Sequence, residues 1–478
     1  EFKTLYATAD TTTGVAASAV TFKGIGDAVV ETTDTGTIQA SDIKILDGFS
    51  SGDVGIPVTV STISGTFADI EDVIDAEGSG VKNNDITDRS AVADSHDSMA
   101  ITVTDPITVA QANKLVVEMT KGFVTATISD GDITTLITTA APHDPGTGSV
   151  ASAGLNKPAG TPVPKQIFNI ALSDATVTAA DLKELDTRTE GTITVGTSTN
   201  ITGNFTAATD LEAVLASTGI SGISTVSSTA EASVNQVNNI IAKTTAVVTA
   251  TVNDKTLTGL AALTGTGNAL TIEVDDASAD AAAINVINGK TTLAVKVDST
   301  TITGALSDIK TLYDANTAGT VTNLGNETVI ISDAGSVSAA DLHTVNTLTS
   351  GIVSANSVNT VTGSVVDLLK VYSSGNTAGV VAGLGQEGIV ITDTGTVAAS
   401  DITALDGLTS GSITASGVTK LTGSVTEISA ARSGATVTGL TGIALTGSTE
   451  TFDATSYLAS NADLIKAFGN SPSSAITH

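Results

Sequence analysis

The chain carries the phrase Ser332-Asp-Ala-Gly-Ser-Val-Ser-Ala-Ala-Asp-Leu-His343 and, 60 residues later, Thr392-Asp-Thr-Gly-Thr-Val-Ala-Ala-Ser-Asp-Ile-Thr403. Both copies run on to a Thr-Ser-Gly, Thr349 to Gly351 and Thr409 to Gly411, and then to a Thr-Gly. Self-similarity at a fixed period means one supersecondary unit packed on its own copies, and it constrains the fold more than any single residue can. Thr33 through Gly48 is a third copy and Ser173 through Asp186 a fourth, with degenerate copies beginning near Thr104-Asp105 and Asp275-Asp276 and another through Ala232–Ala242. The downstream half returns at Ile63–Gly65, Ile201–Gly203, Leu257–Gly259, Ile302–Gly304, Val361–Gly363 and Leu421–Gly423.

Within one unit, Gly388–Thr392 is a short apolar run that reads as a buried strand. Asp393-Thr-Gly395 supplies turn chemistry, with the Asp bonding its own backbone two residues on. One or two helical turns follow over Ala398–Leu405, placing Ile402 and Leu405 on one face. Thr178 to Asp181 and Ser338 to Asp341 have the spacing of a capping box, and Gly407 and Gly48 stand where a helix C′ glycine belongs. Strands at Gly411–Ala415 and Val418–Leu421 complete a unit of strand, short helix, strand, strand. Aromatics are 3% of the chain and Trp is absent, so the core must come from β-branched and small aliphatic side chains. A unit so poor in large apolar groups needs neighbours to bury its faces. The expected fold is therefore mostly β: a repeat-built β-solenoid or β-helix-like stack with short helical turns, ending in a small C-terminal α-helix. Tandem β-sandwich domains are the alternative.

Five of the eight prolines fall between Pro142 and Pro164, which marks 141–166 as a linker or long surface excursion. It divides a divergent β-rich portion, 1–140, from a regular array of about 60-residue repeats over 167–449. Residues 77–98 read as an irregular loop, and 450–478 as a C-terminal helical segment.

A net charge of −30, from 20 basic and 50 acidic residues, argues against nucleic acid as a partner, because phosphates would meet a repelling field. The absence of cysteine removes disulfides and thiol chemistry, and no apolar run is long enough to span a membrane. The repeat carboxylates Asp34, Asp174, Asp333 and Asp393 could line one edge of a stack and bind calcium, but turn formation explains them more simply. Asp42, Asp181, Asp341 and Asp401 fit the first turn of a helix. Two acidic clusters stand out: Asp69, Glu71, Asp72 and Asp75, then Asp85, Asp88, Asp94 and Asp97. Neither has EF-hand spacing; calcium at the second competes with a plain solvated loop.

His96, His143, His343 and His478 are scattered, and His343 shares its repeat position with Lys44, Lys183 and Thr403, as an exposed variable site would. Gly48-Phe-Ser-Ser-Gly52 matches a nucleophile elbow in letters only, since it leads from helix to strand. No catalytic or cofactor-binding constellation emerges.

Asp453-Ala-Thr-Ser-Tyr-Leu-Ala-Ser-Asn-Ala-Asp-Leu-Ile-Lys-Ala-Phe-Gly469 resembles a short helical module, Y-[IL]-A-S-x-x-D-L-I-x-A-F-G, of secreted bacterial proteins. There it often lies beside calcium-binding RTX-type repeats or within surface-layer and adhesin proteins. The preceding repeats resemble those of large exported cell-surface proteins of marine cyanobacteria and proteobacteria. The RTX nonapeptide itself is absent, so no calcium residues carry over. In that family the module continues past a His into an aromatic-rich turn, which implies that this chain ends inside a larger precursor. The resemblance implies an extracellular or cell-surface protein. The leading expectation is a secreted structural subunit that assembles with its own copies into a surface layer, sheath or filament. The second is an adhesin stalk, with calcium as a candidate requirement, or another cell-surface binding protein; cell-surface polysaccharide is a candidate partner beside the chain's own copies. The third is a polysaccharide-active β-helix enzyme, poorly supplied with sugar-stacking aromatics.

Overall fold

The computed structural model describes residues 30–47, 54–56, 59–74, 99–118, 122–138, 154–155, 166–205, 210–373, 381–434, 436–440 and 444–447. Helix and strand take nearly equal shares, about 33% and 31%. Every strand pair reported among these residues is parallel and joins successive turns of chain, giving a β-rich, repeat-like fold. Helices claim more of the chain than the repeat implied, because a coil's strands are short while its helix runs to 13 residues at Leu306–Ala318. The chain divides into two compact units, Glu1–Thr251 and Val252–His478.

In the first unit a seven-stranded sheet takes its strands in chain order from Gly36–Gln39 to Ile220–Ser221. Thr125–Ile128 pairs directly with Ile167–Ile170. The proline-rich segment between them thus interrupts one coil and does not separate two domains. A second sheet stacks Thr176–Thr178, Asn200–Gly203, Thr225–Ser228 and Val247–Thr251.

The second unit explains the 60-residue period. One coil supplies three strands, Val321–Thr322, Thr328–Ile331 and Ser336–Ser338, before the helix Ala339–Leu348. The next supplies two, Val353–Ser354 and Thr360–Gly363, before the helix Val365–Ser373. Then the pattern returns, with Val381–Ala382, Gly388–Ile391, Gly395–Ala398 and the helix Ala399–Asp406, followed by Ile413–Thr414, Val418–Gly423 and the helix Val425–Ser433. The sequence unit is therefore a pair of coils holding two helices and five strands. The second helix, and the strand at Gly395–Ala398 where a turn was expected, are corrections to the strand–helix–strand–strand reading.

Each extra strand opens a new sheet. Thr328–Ile331 sits in the middle of one five-stranded sheet, while its sequence copy Gly388–Ile391 sits in the middle of the next.

Burial follows from residue placement. Buried Val337, Val361, Ile389 and Ile413 fall in register on four successive strands, with half-buried Val437 on the next. β-branched side chains suit this pleated stacking, and burying each contributes about 1.5–3 kcal/mol. On the helices the first, fourth and seventh residues face the strands: Ala339, Leu342 and Val345, then Ala399, Ile402 and Leu405, all fully buried.

Threonine staples the coils on the outward side. Thr303 donates to Ala279 O at 3.4 Å, Thr362 to Val337 O at 3.2 Å and Thr438 to Ile413 O at 3.1 Å. The high threonine content thus supplies both β-propensity and coil-to-coil hydrogen bonds.

Candidate functional site

The polar residues of the repeat converge on the junction between coils. Leu324-Gly-Asn-Glu327 and Leu384-Gly-Gln-Glu387 each turn a buried glutamate back onto its own loop. Glu327, only 2% exposed, accepts from Gly325 N at 2.6 Å and Asn326 N at 3.2 Å, and its other oxygen accepts from Tyr313 Oη at 2.6 Å. Glu387 accepts from Gly385 N at 2.8 Å, Gln386 N at 3.1 Å and Tyr372 Oη. A buried carboxylate is tolerated only when donors replace its water, and here three do. Burial, then the bond to the glutamate, pushes both phenols well above the ordinary tyrosine range.

The Thr-Ser-Gly of the following coil closes over this loop. Thr349 Oγ1 donates to Glu327 O at 3.0 Å and accepts from Gly351 N at 3.0 Å, while Ser350 Oγ donates to Gly325 O at 3.1 Å. Thr409, Ser410 and Gly411 repeat the set on Glu387 and Gly385 at 3.1, 3.0 and 2.9 Å. In the first unit Thr189 does the same with Phe168 O at 2.9 Å and Gly191 N at 2.8 Å. Each clamp presses its glycine onto the preceding backbone. This is a lock between coils.

The repeat aspartates play a part that local turn chemistry did not foretell. Asp333 accepts from Leu306 N at 2.7 Å, Asp393 from Val365 N at 2.7 Å and Asp174 from Ile133 N at 2.8 Å. Each caps the first N–H of the helix in the preceding coil, satisfying one of the donors a helix leaves orphaned. Asp105 and Asp276, from the degenerate copies, cap Phe67 N and Leu257 N at 2.7 Å. Only Asp34 is held locally, by Thr32. Asp42, Asp181, Asp341 and Asp401 do lie in first helical turns. Gly407 ends its helix with an ordinary right-handed φ of −76°, so glycine is not required there. Asp393→Ala is expected to cost about 1–2 kcal/mol in urea unfolding, against less than about 0.5 kcal/mol for the exposed neighbour Thr394→Ala.

The first acidic cluster is engaged in ion pairs between helices: Asp69 and Asp72 with Lys44 at 2.7 Å each, Glu71 with Lys114 at 2.8 Å. Asp75 and the calcium candidates Asp85, Asp88, Asp94 and Asp97 lie outside the described residues, as do His96, His143, His478, Gly48–Gly52 and the C-terminal segment. Among the described residues no group of three or more His, Asp or Glu could hold a metal.

His343 is half-buried between helices, which corrects the expectation of an exposed site. Glu273 anchors a further network with Lys255 at 2.5 Å and Lys296 at 2.8 Å, whose hydrogen bonds hold its carboxyl down to about 2.

One shallow cleft of about 400 Å³ lies among Val214, Leu215, Ile220, Ile223, Lys243 and Thr244. Its single charged lining residue, Lys243, is paired with Glu212 at 2.8 Å. Among the described residues no helix is long and apolar enough to cross a membrane.

No known protein family matches the chain, and no match is found among curated proteins or solved structures.

Proposed function

We propose that the chain is a structural protein, a β-solenoid whose coils carry helices, built to assemble with its own copies into an extracellular surface layer, sheath or filament. One observation supports this reading above the rest: the polar side chains that recur with the repeat are engaged in coil-to-coil bonds. Tyr313, Glu327, Thr349, Ser350 and Asp333, with the copies of each at Tyr372, Glu387, Thr409, Ser410 and Asp393, hold one stretch of chain against another. Nothing in that set is poised as nucleophile, base or substrate clamp, so we read the protein as non-enzymatic. The end coil of such a stack presents unpaired parallel strands unless it is capped, and a second copy is a natural partner for an uncapped edge. Calcium enters as a bridge between copies that would otherwise repel one another at a net charge of −30.

Negative-stain microscopy of purified protein, with millimolar calcium and with a chelator, tests both parts. Regular sheets or fibres are expected with calcium. Dispersed monomers in both conditions would overturn the assembly reading, and identical assemblies in both would remove calcium from it.

A further inference from the structure

The helix Ile133–Ile137 stops short. It has five residues, against ten in Val109–Glu118 before it and eight in Ala179–Asp186 after it. Those neighbours bury their first, fourth and seventh residues: Val109, Ala112 and Leu115, then Ala179, Leu182 and Leu185. The short helix supplies only Ile133 and Leu136 before the chain leaves for the proline-rich excursion.

The missing side chain is returned from the excursion itself. Leu155 is fully buried, and its N–H donates to Leu136 O at 2.9 Å. Asn113 Nδ2 donates to Gly154 O at 2.9 Å and Arg188 Nη1 to Leu155 O at 2.8 Å, so both carbonyls of the dipeptide are engaged. Asn113 and Arg188 are only 4% and 5% exposed. Arg188 is held in turn by Ile137 O at 2.7 Å, and Glu184 at 3.2 Å supplies the counter-charge that a buried guanidinium needs. Position 154 admits glycine alone. A β-carbon there would lie 2.5 Å from Leu136 O and 2.7 Å from Thr138 O. Bonds to the main chain, a buried side chain and an excluded β-carbon are together how a protein reads a short peptide.

We propose that Asn113, Leu136 and Arg188 form a peptide-binding socket for a Gly-Leu segment, and that the chain fills it with its own Gly154–Leu155. The socket draws on the helices of three successive coils, Val109–Glu118, Ile133–Ile137 and Ala179–Asp186 with Arg188 just past its end. Neither ligand residue belongs to a helix or a strand, so the socket and not a sheet ladder holds them. A ligand held in this way exchanges with the same dipeptide from another chain, whatever form the copies assemble into.

The probe is the capped, labelled peptide Ser-Ala-Gly-Leu-Asn-Lys, the sequence of 152–157. Leu155→Ser in the full chain vacates the socket, and circular dichroism checks its fold. That variant is expected to bind the peptide at least about tenfold more tightly than the wild type, whose tethered segment competes at an effective concentration on the order of millimolar. A peptide with alanine in place of glycine should bind neither protein. The wild type supplies an arm that stands even if Leu155→Ser fails to fold. Hydrogen exchange of its Leu155 amide, read on fragments spanning 150–158, should quicken about twofold or more in peptide at about millimolar concentration, because exchange follows the population of the open state. The alanine peptide should leave it unchanged. No binding to a folded Leu155→Ser, equal affinity for the two proteins, binding that tolerates alanine, or wild-type exchange indifferent to the peptide overturns the proposal.

Discussion

Replacing Gly351 with alanine is expected to unlock the second unit at one coil junction, at a cost of about 3 kcal/mol or more. A β-carbon there would lie 1.9 Å from Glu327 O, and one on Gly411 would lie 2.1 Å from Glu387 O. Nothing flexible stands at the point of contact: the obstacle is the backbone that Thr349 and Ser350 hold in place. The clash can be relieved only by opening the clamp, which also strands Glu327 O and Gly325 O. Gly335→Ala is the control. It meets nothing within 4 Å, its φ is not in the left-handed region, and with an effect below about 0.5 kcal/mol it should leave the midpoint close to that of the wild type. Urea unfolding followed by far-ultraviolet circular dichroism reads both. Because the protein has two compact units, the transition midpoint is the quantity to compare, not a two-state free energy. Equal midpoints for the two variants would mean that the clamp does not hold the coil.

The second large effect concerns the buried glutamates. Glu327→Ala removes the acceptor for Tyr313 Oη, Gly325 N and Asn326 N together. Leaving the buried Tyr313 hydroxyl and two partly exposed loop amides without partners is expected to cost about 2–3 kcal/mol, and Tyr313→Phe about 1–2 kcal/mol. The same pairing makes the fold alkali-sensitive, and the sign follows from the direction of the phenol shifts. The folded protein holds the Tyr313 and Tyr372 protons more tightly than the unfolded chain does. Their contribution is therefore complete below the ordinary tyrosine value of about 10 and is lost as pH rises beyond it. Of four tyrosines, Tyr313 and Tyr372 should resist ionisation until the chain unfolds. Absorbance at ~295 nm should accordingly rise in two stages, the later one coinciding with loss of circular dichroism. A single smooth titration with the fold intact would contradict the pairing.

The 60-residue period was legible because Ser332–His343 and Thr392–Thr403 are nearly the same phrase. The coil itself was not. A three-strand coil and a two-strand coil have different sequences, so nothing in the letters announces that Val337 stacks on Val361, 24 residues on. Val365-Val-Asp-Leu368 recurs with the repeat, yet its helix begins without the Ala-Ala-Asp start that marked the first one.

Thr349-Ser-Gly351 and Asp333 were both visible as recurring residues, but their roles were not. The acceptors of the clamp lie 22 and 25 residues upstream, and the amide that Asp333 caps lies 27 upstream. Turn rules consider neighbours two or three residues away and so assign such an aspartate to itself. The same holds for Asp105 and Asp276 in the worn copies, whose capped amides lie 38 and 19 residues upstream.

The alternation of three-strand and two-strand coils has an electrostatic consequence. In a stack with one coil per repeat, every copy of a carboxylate would sit one strand spacing, about 4.8 Å, above the last. Here Asp333 and Asp393 follow strands in different sheets, with the whole coil Thr349–Ser373 between them. Their separation is at least two strand spacings, roughly 10 Å, about the distance over which salt at physiological strength screens a charge. Pairing of coils in the second unit thus spaces the capping aspartates Asp333 and Asp393 more widely than Asp105, Asp130 and Asp174, which follow three neighbouring strands in the first unit.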